Sequence, residues 1–272
     1  MDFNILIGGE AGQGLKTVDN ILGKILFREG FNIFSSKDFM SRIRGGHNFM
    51  QLRISDNKLF GPDNDLDLLI ALNEETVEIH KDQLKDDGIV LIEGDEEVLD
   101  GRTILVPASV IADDINPKGV NTVFVGAALK IMDLNLETAK GVVKEYFDDE
   151  LVEDNIKLLE RGYNAVKSVY DNLKENVSDK DDEIFIDGNS ALGYGALTGG
   201  LRFYSAYPMS PSTGIMNFLA GQQKNFELVV EQAEDELAAL NMALGGSYSG
   251  IRSMSGTSGG GLALMNEAIG LA

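Results

Sequence analysis

Residues 229 to 261 read VVEQAEDELAALNMALGGSYSGIRSMSGTSGGG, and this stretch predicts how the last third of the chain folds. A short strand leads into three acids, Glu234 to Glu236, and then into an apolar segment, Leu237 to Leu244. Because Asn241 is the only polar side chain in that segment, it predicts a helix that is buried almost all round. The glycines between Gly245 and Gly261 would let the backbone approach a neighbour or a ligand closely.

The last of the three acids, Glu236, is joined directly to the apolar helix, and we expect it to be partly withdrawn from water. A carboxyl in such surroundings is suited to proton exchange with a bound ligand. The other interpretation is that the acids meet the favourable dipole of a helix N-terminus. Spacing alone leaves both interpretations open.

Composition limits the classes of function. The chain has 272 residues, no cysteine and a formal net charge of −21. Its length predicts two domains, and without cysteine it offers no thiolate nucleophile and no ligand for an iron–sulfur cluster. Its acidity disfavours nucleic acid or an anionic membrane as a partner. With no apolar run of membrane-spanning length and an N-terminus unlike a secretory leader, we expect a cytoplasmic protein.

The N-terminal part predicts a strand, a glycine-rich turn and a helix. Phe3 to Ile7 is apolar, and apolar residues recur at helical spacing from Leu15 to Leu26. This order opens an α/β layer with an anion site at the helix N-terminus. The candidate cofactor-binding glycines of the turn are Gly9, Gly12 and Gly14. Their spacing fits neither the P-loop nor the dinucleotide motif, so tight strand–helix packing stays the alternative.

A basic island interrupts this acidic part of the chain between residues 38 and 55. Its candidate cofactor-binding residues are Arg42, Arg44, Gly45, Gly46 and His47. Arginine beside paired glycines suits a carboxylate or a phosphate, because the guanidinium donates two parallel hydrogen bonds. Pairing with acids of the protein itself or of a partner explains the island equally well.

The remaining patterns set the domain boundaries. Three apolar runs predict buried parallel strands; they are Leu66–Leu72, Ile89–Ile92 and Thr103–Val106. Residues 120–174 predict helices throughout, ending in a long amphipathic helix, Asp154–Leu173. The polar stretch 177–187 predicts a linker between a first domain, residues 1–176, and a second, residues 188–272.

The second domain predicts a helix of small residues and then a strand that ends in a turn of prolines and hydroxyls. The candidate substrate-binding residues of this turn are Pro208, Ser210, Pro211, Ser212 and Thr213. Clustered hydroxyls suit a small oxo-acid, whereas capping of the next helix by Ser210 or Ser212 is the more ordinary interpretation.

Taken together, these stretches resemble the α subunit of the 2-oxoacid:acceptor oxidoreductases, which act on pyruvate or 2-oxoglutarate with ferredoxin. GGEAGQG and SRIRGGH resemble the γ domain of that family. GNSALGYGAL, AYPMSPSTGI and the stretch from residue 231 to residue 261 resemble the start of its pyrimidine-binding domain. The resemblance implies an α/β chain with an N-terminal γ-type domain, followed by the beginning of a thiamine-diphosphate pyrimidine-binding domain.

The resemblance also implies roles for single residues. In the family, a glutamate hydrogen-bonds the pyrimidine of thiamine diphosphate and drives formation of the carbanion that attacks the 2-oxo carbon. Glu236 matches that position best, and Glu234 is its rival. Ser258 lies in the matching cofactor turn. Ser210 stands where the family has a threonine hydroxyl that contacts the substrate.

The implied reaction is oxidative decarboxylation of a 2-oxoacid to an acyl-CoA, with electrons passed to ferredoxin. Thiamine diphosphate would be shared with a β subunit that also holds Mg²⁺ and an iron–sulfur cluster, and coenzyme A would be the co-substrate. We expect a hetero-oligomer and no metal site on this chain. Family members continue well past the position of Ala272, so the chain is expected to be truncated and inactive alone. Two alternatives stay open: a non-catalytic assembly subunit, and a nucleotide-binding protein that uses Gly8 to Thr17.

Overall fold

The structure is a computed structural model that describes residues 1–10, 12–38, 46–94, 98–99, 101–171, 173–178, 180 and 182–272. The chain divides into two compact units, Met1–Phe185 and Ile186–Ala272, called unit 1 and unit 2 below. Within the described ranges, none of the helices combines the length and the apolar character needed to cross a membrane.

Unit 1 is built on a mixed sheet. Its strands are β1 (Asp2–Glu10), β2 (Asn32–Asp38), β3 (His47–Ser55), β4 (Leu66–Ala71), β5 (Leu84–Ile92) and β6 (Thr103–Leu105). They lie in the order β2-β3-β1-β4-β5-β6. β1, β4, β5 and β6 are parallel, as the three apolar runs predict, whereas β3 runs antiparallel to both β1 and β2. Ile5 of β1 therefore lies between Leu68 and Leu52, and all three are fully buried.

Helices cover this sheet. They are α1 (Leu15–Arg28), α2 (Glu74–His80), α3 (Ala108–Asp113), α4 (Val120–Ile131), α5 (Leu136–Tyr146) and α6 (Asp149–Ala165). α1 buries the stripe that its helical spacing predicts, including Val18, Ile21 and Ile25. Asn73 caps α2 by accepting from the backbone N–H of Thr76 at 3.0 Å, which satisfies one of the free donors at the start of the helix.

α4 and α6 pack closely because glycine lies at their crossing. A Cβ at Gly126 would stand 2.9 Å from the backbone nitrogen of Tyr163, and one at Gly162 would stand 2.9 Å from the carbonyl carbon of Val123. Beside this contact, the buried Thr122 hydroxyl donates to Oδ1 of Asn155 at 2.6 Å. The apolar residues of α4 are mostly fully buried, and this helix forms the centre of the second layer of unit 1.

The long helix predicted for Asp154–Leu173 is wrong at both ends, because α6 begins at Asp149 and ends at Ala165. After the helix ends, the chain makes tertiary hydrogen bonds in place of helical ones. The backbone N–H groups of Val169 and Tyr170 both donate to the carbonyl of Ile131. The Tyr170 hydroxyl donates to the carbonyl of Asp67 at 2.7 Å, and its ring meets Phe3 edge-on.

The stretch expected to be a linker is irregular in its described residues, yet it is tied to unit 1. Val177 packs against the core of unit 1. The buried Nζ of Lys180 donates to Oδ1 of Asn32 at 3.0 Å, and the ring of Phe185 stacks on that of Phe27. These contacts explain why unit 1 extends to Phe185.

Unit 2 is a small parallel α/β layer. Its elements are α7 (Gly188–Thr198), β7 (Phe203–Ala206), α8 (Thr213–Gln222), β8 (Val229–Gln232), α9 (Glu236–Tyr248), β9 (Ser253–Met254) and α10 (Gly259–Leu271). β7 lies between β8 and β9 and is parallel to both. Tyr204, at the centre of β7, is fully buried within the core of this unit.

The expectation that Leu237 to Leu244 is buried almost all round is wrong for this chain. Only Glu236, Ala239 and Ala243 of α9 are buried, and Leu237 and Met242 are more than 40% exposed. The reason is that β7, β9 and α10 pack against one side of the helix, so that its other side faces outward.

Candidate active site

The candidate residues of unit 2 lie at one edge of its sheet. β7 ends at Ala206, β8 at Gln232 and β9 at Met254, and the three strands are parallel. The proline–hydroxyl turn, the three acids and the glycine turn therefore all follow the carboxyl ends of strands. Ligands of open α/β sheets bind at this edge.

The three acids, Glu234 to Glu236, differ in how deeply they are buried. Glu234 is exposed. Asp235 is the N-cap of α9 and accepts from the backbone N–H of Ala238 at 2.7 Å. Glu236, the first residue of the helix, is only 7% exposed, and no hydrogen bond or ion pair reaches its carboxylate from the part of the chain that the structure describes. A carboxylate that no protein group engages is available to a ligand.

The side chain of Glu236 lies against the first turn of α10. A Cβ at Gly261 would stand 2.7 Å from Cγ and 3.0 Å from Oε1 of Glu236, and it would overlap Oγ1 of Thr257. The carboxylate is therefore placed at the N-terminus of a 13-residue helix, whose dipole favours negative charge. Ser258 is the N-cap of this helix by position, and its side chain makes no capping hydrogen bond.

Three hydroxyls near this glycine turn are buried without a partner among the described residues. They are Oη of Tyr204, Oγ of Ser255 and Oγ1 of Thr257. The Tyr204 hydroxyl is packed so closely under Gly256 that a Cβ there would overlap it, and burial raises the pKa of Tyr204. Most buried polar groups in proteins are hydrogen-bonded, so these three hydroxyls are exceptions, and one of them, Thr257, lies with the Glu236 side chain against Gly261.

The candidate residues of the proline–hydroxyl turn differ in their exposure to solvent. Ser210 and Pro211, which are joined by a cis peptide bond, are exposed, whereas Ser212 is buried. Ser212 is the N-cap of α8 by position, but its hydroxyl donates to the carbonyl of Met209 at 2.9 Å and does not cap the helix. The Ser210 hydroxyl is thus better placed for an incoming molecule. The two remaining candidates of this turn, Pro208 and Thr213, are partly buried.

A cavity of about 770 Å³ opens at the opposite, amino edge of the same sheet. Its lining residues are Gly200, Arg202, Phe203, Glu227, Val229, Gly250, Ile251 and Arg252. None of them belongs to the candidate site. The unpaired carboxylate of Glu236 lies at the carboxyl edge of the sheet. We therefore place the candidate site at that edge and not at this cavity, large as the cavity is.

In unit 1, the candidate glycines shape the turn between β1 and α1. Gly9 is buried at the end of β1. Gly12 and Gly14 have positive φ, of 100° and 79°, which glycine adopts without strain. Gly14 is the N-cap of α1, and the amide of Asn121 fills the space that a side chain at Gly14 would need. Tight packing therefore accounts for Gly14 without a ligand.

Arg42, Arg44 and Gly45 of the basic island lie outside the described residues. Gly46 has a φ of 79°, and His47 begins β3. Nε2 of His47 lies 2.7 Å from Nε2 of His80, and both rings are buried. The structure thus gives His47 a partner that the sequence analysis did not name.

The direction of this hydrogen bond follows from which ring nitrogen of each histidine carries the proton. Nδ1 of His80 lies 2.7 Å from Oε1 of Gln83, an acceptor, so neutral His80 carries its proton on Nδ1. Nε2 of His47 then donates to Nε2 of His80. This leaves Nδ1 of His47 as a buried acceptor with no partner in the described ranges. Burial lowers the pKa of both imidazoles, and the proximity of His80 lowers that of His47 further.

Comparison with known proteins gives the family. The sequence model described as pyruvate ferredoxin/flavodoxin oxidoreductase matches residues 4–165, which is more than half of the chain. The chain belongs to the pyruvate ferredoxin/flavodoxin oxidoreductase family. The thiamine diphosphate-binding model of the same oxidoreductases matches residues 194–272. The predicted family is thereby confirmed.

Curated relatives in this family are α subunits. The 2-oxoacid:ferredoxin oxidoreductase subunit alpha of Sulfolobus sp is 29% identical over an alignment that covers 100% of this chain and 52% of the relative. The 2-oxoglutarate synthase subunit KorA of Methanothermobacter thermautotrophicus is 43% identical over 91 residues, which are 34% of this chain and 24% of that subunit. The chain spans about half the length of the full-length relatives it matches.

Solved structures agree in fold. The 2-oxoglutarate:ferredoxin oxidoreductase from Magnetococcus marinus, solved with 2-oxoglutarate, coenzyme A and succinyl-CoA bound, matches with a TM-score of 0.83 and 30% identity. That match covers 97% of this chain and 49% of the other. The keto/oxoacid ferredoxin oxidoreductase gamma subunit from Geobacter sulfurreducens matches 61% of this chain with a TM-score of 0.54 at 24% identity, which shows the fold alone. The predicted fold class, a γ-type domain followed by a thiamine diphosphate-binding domain, is confirmed.

Sequence reasoning missed several groups around Glu236. The hydroxyls of Ser255 and Thr257 lie in the quoted glycine turn, where two hydroxyl residues between glycines were a usable signal. Tyr204 gave no signal, because an aromatic residue in an apolar strand is ordinary. The contact between Gly261 and Glu236 joins two helices and is visible only in three dimensions.

Proposed function

We propose that this chain is part of the catalytic subunit of a thiamine-diphosphate-dependent 2-oxoacid:ferredoxin oxidoreductase, which converts a 2-oxoacid to an acyl-CoA and passes electrons to ferredoxin. The observation that carries the proposal is the carboxylate of Glu236. It is only 7% exposed, lies at the carboxyl edge of a parallel sheet, and has no protein partner within the described residues. A carboxylate held in this way can exchange a proton with a ring nitrogen of a bound cofactor.

The residues at this edge fit the pyrimidine half of thiamine diphosphate. Its aminopyrimidine ring has both donor and acceptor positions, and a carboxyl group can accept from the one and, when protonated, donate to the other. Glu236 would bond the ring nitrogen, and Ser258 is our further candidate for contact with the cofactor. Glu234 is the weaker candidate, because it is exposed and free to remain in water.

Within this proposal, the cofactor supplies the chemistry that removes the carboxyl group of the 2-oxoacid, and the protein orients and polarises it. Glu236 holds or releases a proton at the pyrimidine. The turn from Pro208 to Thr213 follows the neighbouring strand, and its exposed Ser210 hydroxyl is our candidate for hydrogen bonding to the carboxylate of the substrate.

Further groups must come from outside these 272 residues. They contain no cysteine, so the thiolates that hold an iron–sulfur cluster have to be supplied from outside these residues. We propose a β subunit that carries this cluster together with Mg²⁺ and the diphosphate half of the cofactor. The assembly is then a hetero-oligomer, with ferredoxin as its electron acceptor.

We propose coenzyme A as the co-substrate, with the basic island as a contact for its phosphates. Support comes from the Magnetococcus marinus structure, which was solved with coenzyme A and succinyl-CoA bound. The guanidinium of arginine recognises phosphate through paired hydrogen bonds. Changing Arg44→Ala in the assembled enzyme should raise KM for coenzyme A and leave KM for the 2-oxoacid unchanged. An unaltered KM for coenzyme A would remove the island from this role.

The test of the proposed function is viologen reduction by the subunit that contains this chain, co-expressed with its β subunit. Pyruvate, 2-oxoglutarate and a branched 2-oxoacid are supplied in turn, with and without thiamine diphosphate and coenzyme A. We expect reduction with at least one of these acids, dependent on both additions. No reduction with any of them, in an assembly that contains its cluster, would contradict the proposal.

A further inference from the structure

Three consecutive glycines open α10, and only one of them is crowded. A Cβ at Gly259 or Gly260 would meet nothing within 4 Å. A Cβ at Gly261 would stand 2.7 Å from Cγ and 3.0 Å from Oε1 of Glu236, and would overlap the Thr257 hydroxyl. Glycine is a poor helix former, so its presence at the third position has a steric reason that the other two lack.

α9, which carries Glu236, is tied to β7, and this limits its movement away from such a clash. Asp235 caps α9 through the N–H of Ala238 at 2.7 Å. One turn further on, the hydroxyl of Ser205, which is completely buried, donates to the carbonyl of Ala239 at 2.7 Å. Because α9 is anchored in this way, a methyl group at residue 261 would displace the side chains of Glu236 and Thr257 or push α10 away from them.

We propose that Gly261 is a positioning residue for Glu236: its bare Cα lets the carboxylate lie against the first turn of α10, and any side chain there would turn the carboxylate away. The contact itself is independent of the reaction. Its importance for catalysis rests on the proposed function, in which Glu236 bonds the pyrimidine of thiamine diphosphate.

The first experiment needs no cofactor and measures the urea midpoint of unfolding of the chain. Gly261→Ala and its matched control, Gly260→Ala, are each made in the wild-type and in the Glu236→Ala background. We expect Gly261→Ala to lower the midpoint, and to lower it less once Glu236 has been shortened. Gly260→Ala should leave the midpoint unchanged or raise it, equally in both backgrounds, because its methyl group enters open space.

The second experiment uses the assembled enzyme and measures kcat, KM for the 2-oxoacid and the Kd for thiamine diphosphate. A displacement of about 1 Å in a catalytic group can cost on the order of 10²-fold in rate. We therefore expect Gly261→Ala to lower kcat by roughly that factor and to weaken cofactor binding, with KM for the 2-oxoacid little changed. Adding Gly261→Ala to Glu236→Ala should cause little further loss.

The outcomes separate this inference from the proposed function. If Gly261→Ala lowers the urea midpoint equally in both backgrounds, the Thr257 contact alone explains the glycine and the inference is overturned. It is also overturned if Gly261→Ala leaves kcat and the Kd for thiamine diphosphate at their wild-type values in the assembled enzyme. If Glu236→Ala leaves kcat and the cofactor Kd unchanged, the proposed role of Glu236 fails, while the urea experiment still decides whether Gly261 positions its side chain.

Discussion

At the scale of single residues, burial distinguishes three acids that are adjacent in sequence. Glu234 remains in water, Asp235 is used as a helix cap, and Glu236 is withdrawn from water without a partner in the described part of the chain. A ligand that hydrogen-bonds Glu236 would give this side chain the partner it lacks, which ties binding to this one residue.

The buried imidazoles of His47 and His80 predict a pH dependence of stability. Because burial lowers the pKa of both imidazoles, the unfolded chain takes up protons at a higher pH than the folded chain. The stability contributed by the neutral pair is complete above the ordinary imidazole pKa of about 6.5. It is lost as the pH falls from there through the lowered pKa of the folded state. Glu75 and Asp38, which favour the charged form of His47, moderate this loss.

The measurement is the urea midpoint at pH 7.5 and at pH 5.5 (both chosen to bracket roughly 6.5), for the wild type and for His80→Gln. Glutamine cannot be protonated in this range, so the variant should lose less of its midpoint on acidification than the wild type does. Carboxylates elsewhere titrate equally in both proteins and cancel in the comparison. If the urea midpoints of the wild type and of His80→Gln fell equally on acidification, the account in which burial lowers the pKa of the two histidines would be contradicted.

The sequence could predict these residues only in part. It placed Glu236 at the start of a helix and preferred it to Glu234 by the resemblance, but it could not supply the difference in burial between them, which depends on what packs against α9. It singled out His47 but not its partner, since His80 lies 33 residues further on and is brought alongside only by the packing of α2 against the sheet. Contacts between distant elements are the part that local patterns cannot supply.

At the scale of elements, α4 and α6 of unit 1 cross in close contact at two glycines. Ala at Gly126 would overlap the carbonyl of Leu159, and Ala at Gly162 would overlap that of Val123. Either substitution forces the helices apart, and we expect each to lower the free energy of unfolding by about 1–3 kcal/mol, the usual cost of overpacking.

Gly141 of α5 is the matched control, because its Cβ would have only Arg28 nearby, at 3.9 Å. Gly141→Ala should be neutral or should stabilise the chain by up to about 1 kcal/mol through helix propensity. Urea unfolding of the three variants tests the prediction. Equal effects at all three positions would mean that helix propensity, rather than close packing, accounts for the effects of these substitutions on stability.

Element boundaries illustrate the limit of periodicity. The apolar strands and α1 were predictable because their patterns match their burial on the sheet. The end of α6 was not, because the chain after Ala165 exchanges helical hydrogen bonds for the docking of Tyr170 against Asp67 and Phe3. In α9, the absence of charge predicted burial on every side, but packing reaches only one side within this chain.

At the scale of the whole molecule, the order of motifs carried more information than any one of them. Strand, glycine turn and helix recur in both units, and each local pattern agrees with the architecture in which it lies. That agreement made the family recognisable from the sequence. The antiparallel direction of β3 and the contacts between distant side chains became known only from the structure. The acidity of the chain, −21 overall, limits its partners without naming a substrate.

The most direct test of the account compares Glu236→Gln with Glu234→Gln in the enzyme assembled with its β subunit. Both changes remove one charge, two residues apart, but only the first affects the buried carboxylate. With the 2-oxoacid that the wild type uses, we predict that viologen reduction falls by about 10²–10⁴-fold in Glu236→Gln, the usual worth of a positioned acid or base. Glu234→Gln should stay near the wild-type rate. An unchanged rate in Glu236→Gln, or a loss confined to Glu234→Gln, would contradict the assignment of Glu236 as the catalytic carboxylate.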